Sequence, residues 1–179
     1  MENPVEEISS VIQNLTSTKT PYSLKVLEST LNEYFTSDAS FAHPLCAIPP
    51  APNSREYILG IYQWYKVLFV NVELEVLSID FEQPSNKLYV GVRQACTFRY
   101  FKRTATVELL TALSLRKARK HDKDVYYISR QNDLYQTEEW VHFLIPCGRP
   151  IIEILKLMVG IFCYYLSLIG LSLGMVTKP

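Results

Sequence analysis

The sequence lacks most of the signatures by which a chain reveals its chemistry. Its 179 residues contain no G-x-x-x-x-G-K-[ST], G-x-G-x-x-G or H-E-x-x-H, and the one G-x-S-x-G match, Gly170 to Gly174, falls inside an apolar run. Phosphate cradling and zincin hydrolysis therefore have no local support, and a serine nucleophile elbow lacks the strand-to-turn context it needs. Histidine is scarce, with only His43, His121 and His142, and the cysteines Cys46, Cys96, Cys147 and Cys163 show no C-x-x-C spacing. Neither a metal site nor a disulfide framework is expected, and nothing points to a nucleotide, flavin or haem cofactor. Net charge is missing too, since 18 Lys and Arg balance 18 Asp and Glu. The one basic run, Arg116-Lys117-Ala118-Arg119-Lys120-His121, has the look of a strand end entering a solvated turn. A nucleic-acid groove needs more basic charge, so no nucleic-acid partner is expected. Met1-Glu2-Asn3-Pro4 leads into an acidic helix start rather than a signal peptide, and with free thiols this favours a cytosolic head.

Charge is absent again from residues 157–176, LMVGIFCYYLSLIGLSLGMV, which Lys156 and Lys178 bracket. A helix of this length rises about 30 Å, the thickness of a bilayer's hydrocarbon core. The expectation is a C-terminal tail anchor over 147–179 and a head domain over 1–146. Pro150 can open such a helix at its first position, where no intrahelical N–H bond is lost. Gly160, Cys163, Ser167, Gly170 and Gly174 stack small residues along one face. Faces of this kind let helices approach closely in lipid, so this one offers a homo-oligomer contact.

What is present in the head is a change of period. Asn3-Pro4-Val5-Glu6 opens a helix carried by Val5, Ile8, Ile12 and Leu15; Leu24, Leu27, Leu31 and Phe35 mark a second. Pro49, Pro50 and Pro52 favour extended backbone in the loop that follows. A third helix begins at Ser54 and carries Ile58, Ile61, Tyr62, Tyr65 and Leu68 on one face. The period then falls to two, predicting strands over 70–81, 87–101, 105–117 and 125–134, and a last short helix is predicted over 138–144. Helices first and a strand meander afterwards make an α+β domain: a cone-shaped, curved antiparallel sheet with N-terminal helices packed across it, plus one C-terminal transmembrane helix.

EYFTSDASFAHPLC (33–46), REYILGIYQWYKVL (55–68) and SRQNDLYQTEEWVHFLIPCGRP (129–150) carry a resemblance to a known family. With the hydrophobic tail behind them, the chain resembles the fungal sigma-factor-F-like group of the nuclear-transport-factor-2-like (SnoaL-like) superfamily along almost its whole length. The resemblance implies a cone-shaped α+β head with a membrane anchor. The superfamily hosts isomerases, dehydratases, cyclases, epoxide hydrolases and non-catalytic binding modules, so the resemblance implies architecture and location more firmly than chemistry.

On a half-buried strand the informative residue is the polar one on the apolar face. Gln94 interrupts the face of Leu88, Val90, Val92, Cys96, Phe98 and Tyr100, and Thr111 interrupts Val107, Leu109, Leu113 and Leu115. On the fourth strand Val125, Tyr127, Ser129, Gln131 and Asp133 alternate together, with Asp133 towards the rim. Either these groups line a substrate pocket, or Gln94 and Thr111 satisfy each other in a dry core. Tyr62 and Tyr65 would close the pocket from the long helix, or simply pack the core. Asp38 and His43 form the expected proton-transfer pair, because histidine titrates near neutrality and burial can raise a carboxyl into a useful range. The competing reading gives Asp38 a turn and His43-Pro44 a loop.

Two functional readings follow. One is a membrane-anchored pocket protein acting without a cofactor on a lipophilic fungal secondary metabolite, as a cyclase, isomerase, pericyclase or hydrolase. The other is a non-catalytic lipid-binding or adaptor module at a membrane. Convergence of Asp38, His43 and Asp133 favours the first; a cone filled by Tyr62, Tyr65 and Phe98 favours the second.

Overall fold

The computed structural model describes residues 1–18, 23–100, 102–120, 122–135 and 148–172. The chain divides into two compact units, Met1–Tyr135 and Gln136–Pro179.

The first unit opens with α1 (Pro4–Thr16) and α2 (Ser23–Tyr34). Helix α1 places Pro4 in its first turn, where no intrahelical N–H bond is lost. It buries Ile8, Val11 and Leu15, while Val5 turns outward. Helix α2 buries Leu27 and Leu31. Strand β1 (Phe35–His43) follows directly, and β2 (Cys46–Ile48) folds back on it. Helix α3 (Ser54–Leu68) buries Ser54, Ile58, Tyr62 and Lys66, one residue per turn along a single stripe. Ser54 Oγ donates to the Ala39 carbonyl at 2.6 Å, fixing the start of α3 against β1. Two arginines bind carbonyls that the helix ends leave without partners. Arg55 donates to Asn32 in the last turn of α2 and to Phe35 just beyond it, and Arg99 to Lys66 and Val67 at the end of α3.

Four long strands complete the unit: β3 (Phe69–Glu82), β4 (Lys87–Phe98), β5 (Thr104–Lys120) and β6 (Lys123–Tyr135). A short 3-10 turn over Gln83–Ser85 and a left-handed Asn86 join β3 to β4, at the expected Pro84-Ser85-Asn86 turn. Together the strands form one open, curved sheet in the order β2-β1-β6-β5-β4-β3. The expected α+β class and antiparallel meander are present. One pairing differs from the expectation, because β1 lies parallel to β6 and makes the sheet mixed. FTSDASFAH hides this strand: its polar residues read as a turn, yet Phe35, Ala39 and Phe41 point to the core.

The core lies between the helices and one sheet face, with Ile8, Leu27, Leu31, Phe35, Ile58, Leu88, Val90, Val92 and Ile128 almost completely buried. Each such side chain contributes about 1.5–3 kcal/mol of transfer free energy. Salt links Arg93–Glu75, Arg93–Glu108 and Arg116–Asp38 occupy the opposite face.

The second unit contains α4 (Gly148–Ser172). Its Pro150–Ile169 stretch has a mean hydropathy of 1.9 and is long and apolar enough to cross a membrane. Pro150 is its third residue rather than its first, so the helix opens two residues before the expected start. The helix predicted over 138–144 and the end of the small-residue face at Gly174 lie outside the described residues.

Candidate functional site

Strand alternation decides which side chains face the helices, and β6 changes its alternation midway. Arg130 pairs with Ser114 and Ile128 with Leu115, leaving Ser129 as an extra residue in a β-bulge. Before the bulge Tyr126 and Ile128 pack into the core; after it Gln131 and Asp133 are buried. Tyr127, expected beside Gln131, therefore lies on the opposite face, and the pocket role assigned to it is corrected.

Gln131 and Asp133 meet α3 and β5 in a connected polar cluster. Tyr62 Oη donates to Gln131 Oε1 at 3.0 Å. This contact orients the amide, so that Gln131 Nε2 donates to both Asp133 oxygens at 3.0 Å. Thr111 Oγ1, opposite Asp133 in the β5–β6 register, donates to Oδ1 at 2.8 Å. All four residues are at least nine-tenths buried. Asp133, expected near the rim, is instead enclosed, because β1 covers the outer edge of β6. Burial lifts the Asp133 carboxyl to about 6, against the opposing pull of the Gln131 and Thr111 hydrogen bonds. Burial also pushes the Tyr62 phenol far up, and the nearby Asp133 charge adds to it.

Gln94 and Thr111 do not satisfy each other. Gln94 Nε2 bonds to the Tyr65 hydroxyl, a second polar pair on the same sheet face, where burial raises the neighbouring Cys96 thiol to about 11. Tyr65 stands at 4.7 Å from Phe69 (ring centroids), Phe69 at 5.5 Å from Phe98 and Phe98 at 6.2 Å from Tyr100. These rings form a continuous aromatic track.

His43 and Asp38 separate. His43 stacks on Phe41 and meets Tyr135 edge-on, and its Nδ1 accepts the Leu45 N–H at 3.3 Å. Phe41 pairs with Gln131 and Ala42 with Asn132, so His43 and Asp133 hold neighbouring positions on adjacent strands. Desolvation lowers the imidazole to about 4, leaving it neutral near pH 7. Asp38 points the other way. Both of its oxygens accept from Arg116, at 3.0 and 3.1 Å on the outer face, and this holds its carboxyl below the usual range. The expected Asp38–His43 proton-transfer pair is thereby corrected: the strand pleat puts Asp38 outside.

Lys66 was not anticipated. It is buried on the Tyr62 stripe, where desolvation lowers it to about 8, and its Nζ donates to the Ser17 carbonyl at 2.5 Å. A lysine one turn beyond a buried tyrosine was the available signal. Among the described residues no cluster of His, Cys, Asp and Glu could hold a metal ion.

Three helices over an open, curved six-stranded sheet make a domain of the nuclear-transport-factor-2-like class. The chain matches the SigF NTF2-like domain over residues 1–175 and belongs to that family. No curated protein matches it. Among solved structures it is similar to a ketosteroid-isomerase-like protein from Catenulispora acidiphila in complex with trimethylamine. The two are 15% identical over 75% of this chain and 88% of that one, with a TM-score of 0.56. It is also similar to SalBIII, an epoxide hydrolase/cyclase-like enzyme of pyran ring formation in the polyether salinomycin (12% identity, 78% and 97% coverage, TM-score 0.53). A putative polyketide cyclase from Xanthomonas campestris gives 10% identity, 77% and 96% coverage and a TM-score of 0.54. Likeness at these identities establishes the shared fold.

Proposed function

We propose that the chain is a membrane-anchored small-molecule pocket protein that carries out cofactor-free cyclisation, isomerisation or hydrolysis on a lipophilic metabolite of fungal secondary metabolism. The head, over 1–146, works at the cytosolic surface and 147–179 anchors it. The observation that carries this reading is the buried Asp133 carboxyl with its Tyr62–Gln131 relay and Thr111. A carboxyl brought to about 6 holds its proton loosely enough to give it and its lone pair firmly enough to take one back. Each carboxylate oxygen has two acceptor sites. Oδ1 uses both, on Thr111 and Gln131, whereas Oδ2 bonds only Gln131 among the described residues and keeps one site for a transferred proton. Gln94 and Tyr65 supply a second polar contact for substrate, and the aromatic track supplies a wall that holds a flexible chain in a reactive conformer.

The rival reading is a lipid-binding or adaptor module. It draws support from Asp38 lying outside and from the mutual ring packing of Tyr65, Phe69 and Phe98. Native mass spectrometry with lipid extraction, on protein purified from its producing cells, separates the two. The enzyme reading expects a bound lipophilic metabolite whose precursor the protein converts, with turnover reduced at least about a hundredfold in Asp133→Asn, the scale of a lost general acid or base. Bulk phospholipid alone, or turnover unaffected by Asp133→Asn, sinks it in favour of the adaptor.

A further inference from the structure

The exposed side of α3 has a composition that its position in a water-soluble head does not explain. Tyr57, Trp64 and Tyr100 are 67%, 60% and 63% exposed, and Val67 is exposed beside them. Tyr57 and Trp64 lie two turns apart on one line of α3, about 10 Å along the axis. Val67 continues the line towards the helix end. The β4–β5 turn is fastened there, because Arg99 donates through its backbone N–H to Leu68 and through its side chain to Lys66 and Val67. This fixes Tyr100 at the same end. The turn is closed by the Lys102 N–H on the Phe98 carbonyl and the Phe98 N–H on the Arg103 carbonyl. It therefore presents two cations, Lys102 and Arg103, both exposed, beside the exposed aromatics. The one acid on α3, Glu56, stands at its opposite end.

We infer that the Tyr57–Trp64–Val67 stripe of α3 and Tyr100, Lys102 and Arg103 between β4 and β5 form a surface that lies on an anionic lipid bilayer. Trp and Tyr, apolar in body and polar at one edge, match the headgroup boundary, and Lys and Arg match anionic headgroups. The inference rests on the membrane anchoring proposed above, which keeps the head at high effective concentration near lipid, so that a small surface suffices to dock it. The aromatic track gives the docking a use. Its rings run from Tyr65, bonded to Gln94 in the interior, through Phe69 and Phe98 to the exposed Tyr100. A bilayer-dissolved ligand docking at Tyr100 meets one end of an aromatic contact line whose other end is the Tyr65–Gln94 pair.

The test uses the full chain reconstituted in vesicles, in a Trp140→Phe background that leaves Trp64 as the only tryptophan. Vesicles of phosphatidylcholine alone are compared with vesicles carrying about one-quarter phosphatidylserine, each made with and without brominated acyl chains. Docking predicts blue-shifted Trp64 emission, with brominated lipid quenching at least half of it in the anionic vesicles. Lys102→Glu with Arg103→Glu lowers the docked-to-undocked ratio at least about tenfold, since each cation near an anionic surface contributes several-fold. Flotation of the vesicles separates the two ways of failing. Protein that floats while Trp64 emits as in water, open to iodide and untouched by brominated lipid, overturns the docking surface and leaves the anchor standing. Protein that does not float overturns both.

Discussion

A carboxyl that resists ionisation in the folded protein must make stability depend on pH in a definite direction. Asp133 is lifted from the ordinary 3.8 to about 6 by burial. Between these limits the folded state holds a proton that the unfolded chain has released, so stability falls as pH rises through the window. Each pH unit across that window corresponds to about 1.4 kcal/mol, so charging Asp133 in the folded protein costs about 3 kcal/mol, all of it lost by about pH 7. Asp133→Asn removes the titration. The asparagine Oδ1 keeps the Thr111 and Gln131 donors, while its Nδ2 faces the Gln131 Nε2 donor. That mismatch is a pH-independent offset and does not touch the slope. The assay is urea unfolding of wild type and variant from pH 4 to 8, in detergent micelles that keep α4 solvated. The difference, wild type minus variant, is expected to drop by about 2 kcal/mol between pH 4 and 7, the remainder having been lost below pH 4, and then level off. Subtraction also removes the opposite contribution of His43. A flat difference would mean that Asp133 titrates alike in both states. A difference rising with pH would mean that the three hydrogen bonds outweigh desolvation. Either result refutes a proton-holding Asp133.

Other consequences can be read with simpler measurements. The nitrogen-bound ring protons of His43 are expected to titrate near pH 4 by NMR, and a midpoint above 6 would contradict its desolvation. Because the folded value lies below the usual 6.5, His43 destabilises the fold as pH falls from 6.5 towards 4. Asp38→Asn breaks only an exposed ion pair, so turnover and melting temperature should stay within error of wild type, and a large loss of turnover would restore Asp38 to the site. Leu88→Ala, at a fully buried β4 position, should cost about 2–5 kcal/mol in chemical denaturation. A smaller cost would show that the helices close over the gap.

The fold was legible wherever a period ran long. Helix α3 and strands β3 to β6 announced themselves through repeated apolar spacing, and Gln94 and Thr111 stood out as polar breaks in apolar runs. Strand β1 was not legible, because its pairing with β6 is parallel and remote in sequence, and local pattern carries no trace of a distant partner. Asp38 failed for the same reason. Without the strand there is no pleat to say which side it takes, and its partner Arg116 lies far along the chain. Asp133 was recognisable as the polar residue on an inward face, but its degree of burial depends on β1. Tyr127 was misplaced because strict alternation was carried through a strand that holds an extra residue.

That extra residue, Ser129, divides β6 into two halves with different duties. On one side Tyr126 and Ile128 serve packing; on the other Gln131 and Asp133 hold the proton-bearing cluster. Ile128 and Asp133 stand about 16 Å apart along the strand. Substitutions separated by more than about 10 Å, with no shared partners, combine additively. Substitutions in the buried polar half of β6 can therefore be offset by repacking in the other half, without either change undoing the other.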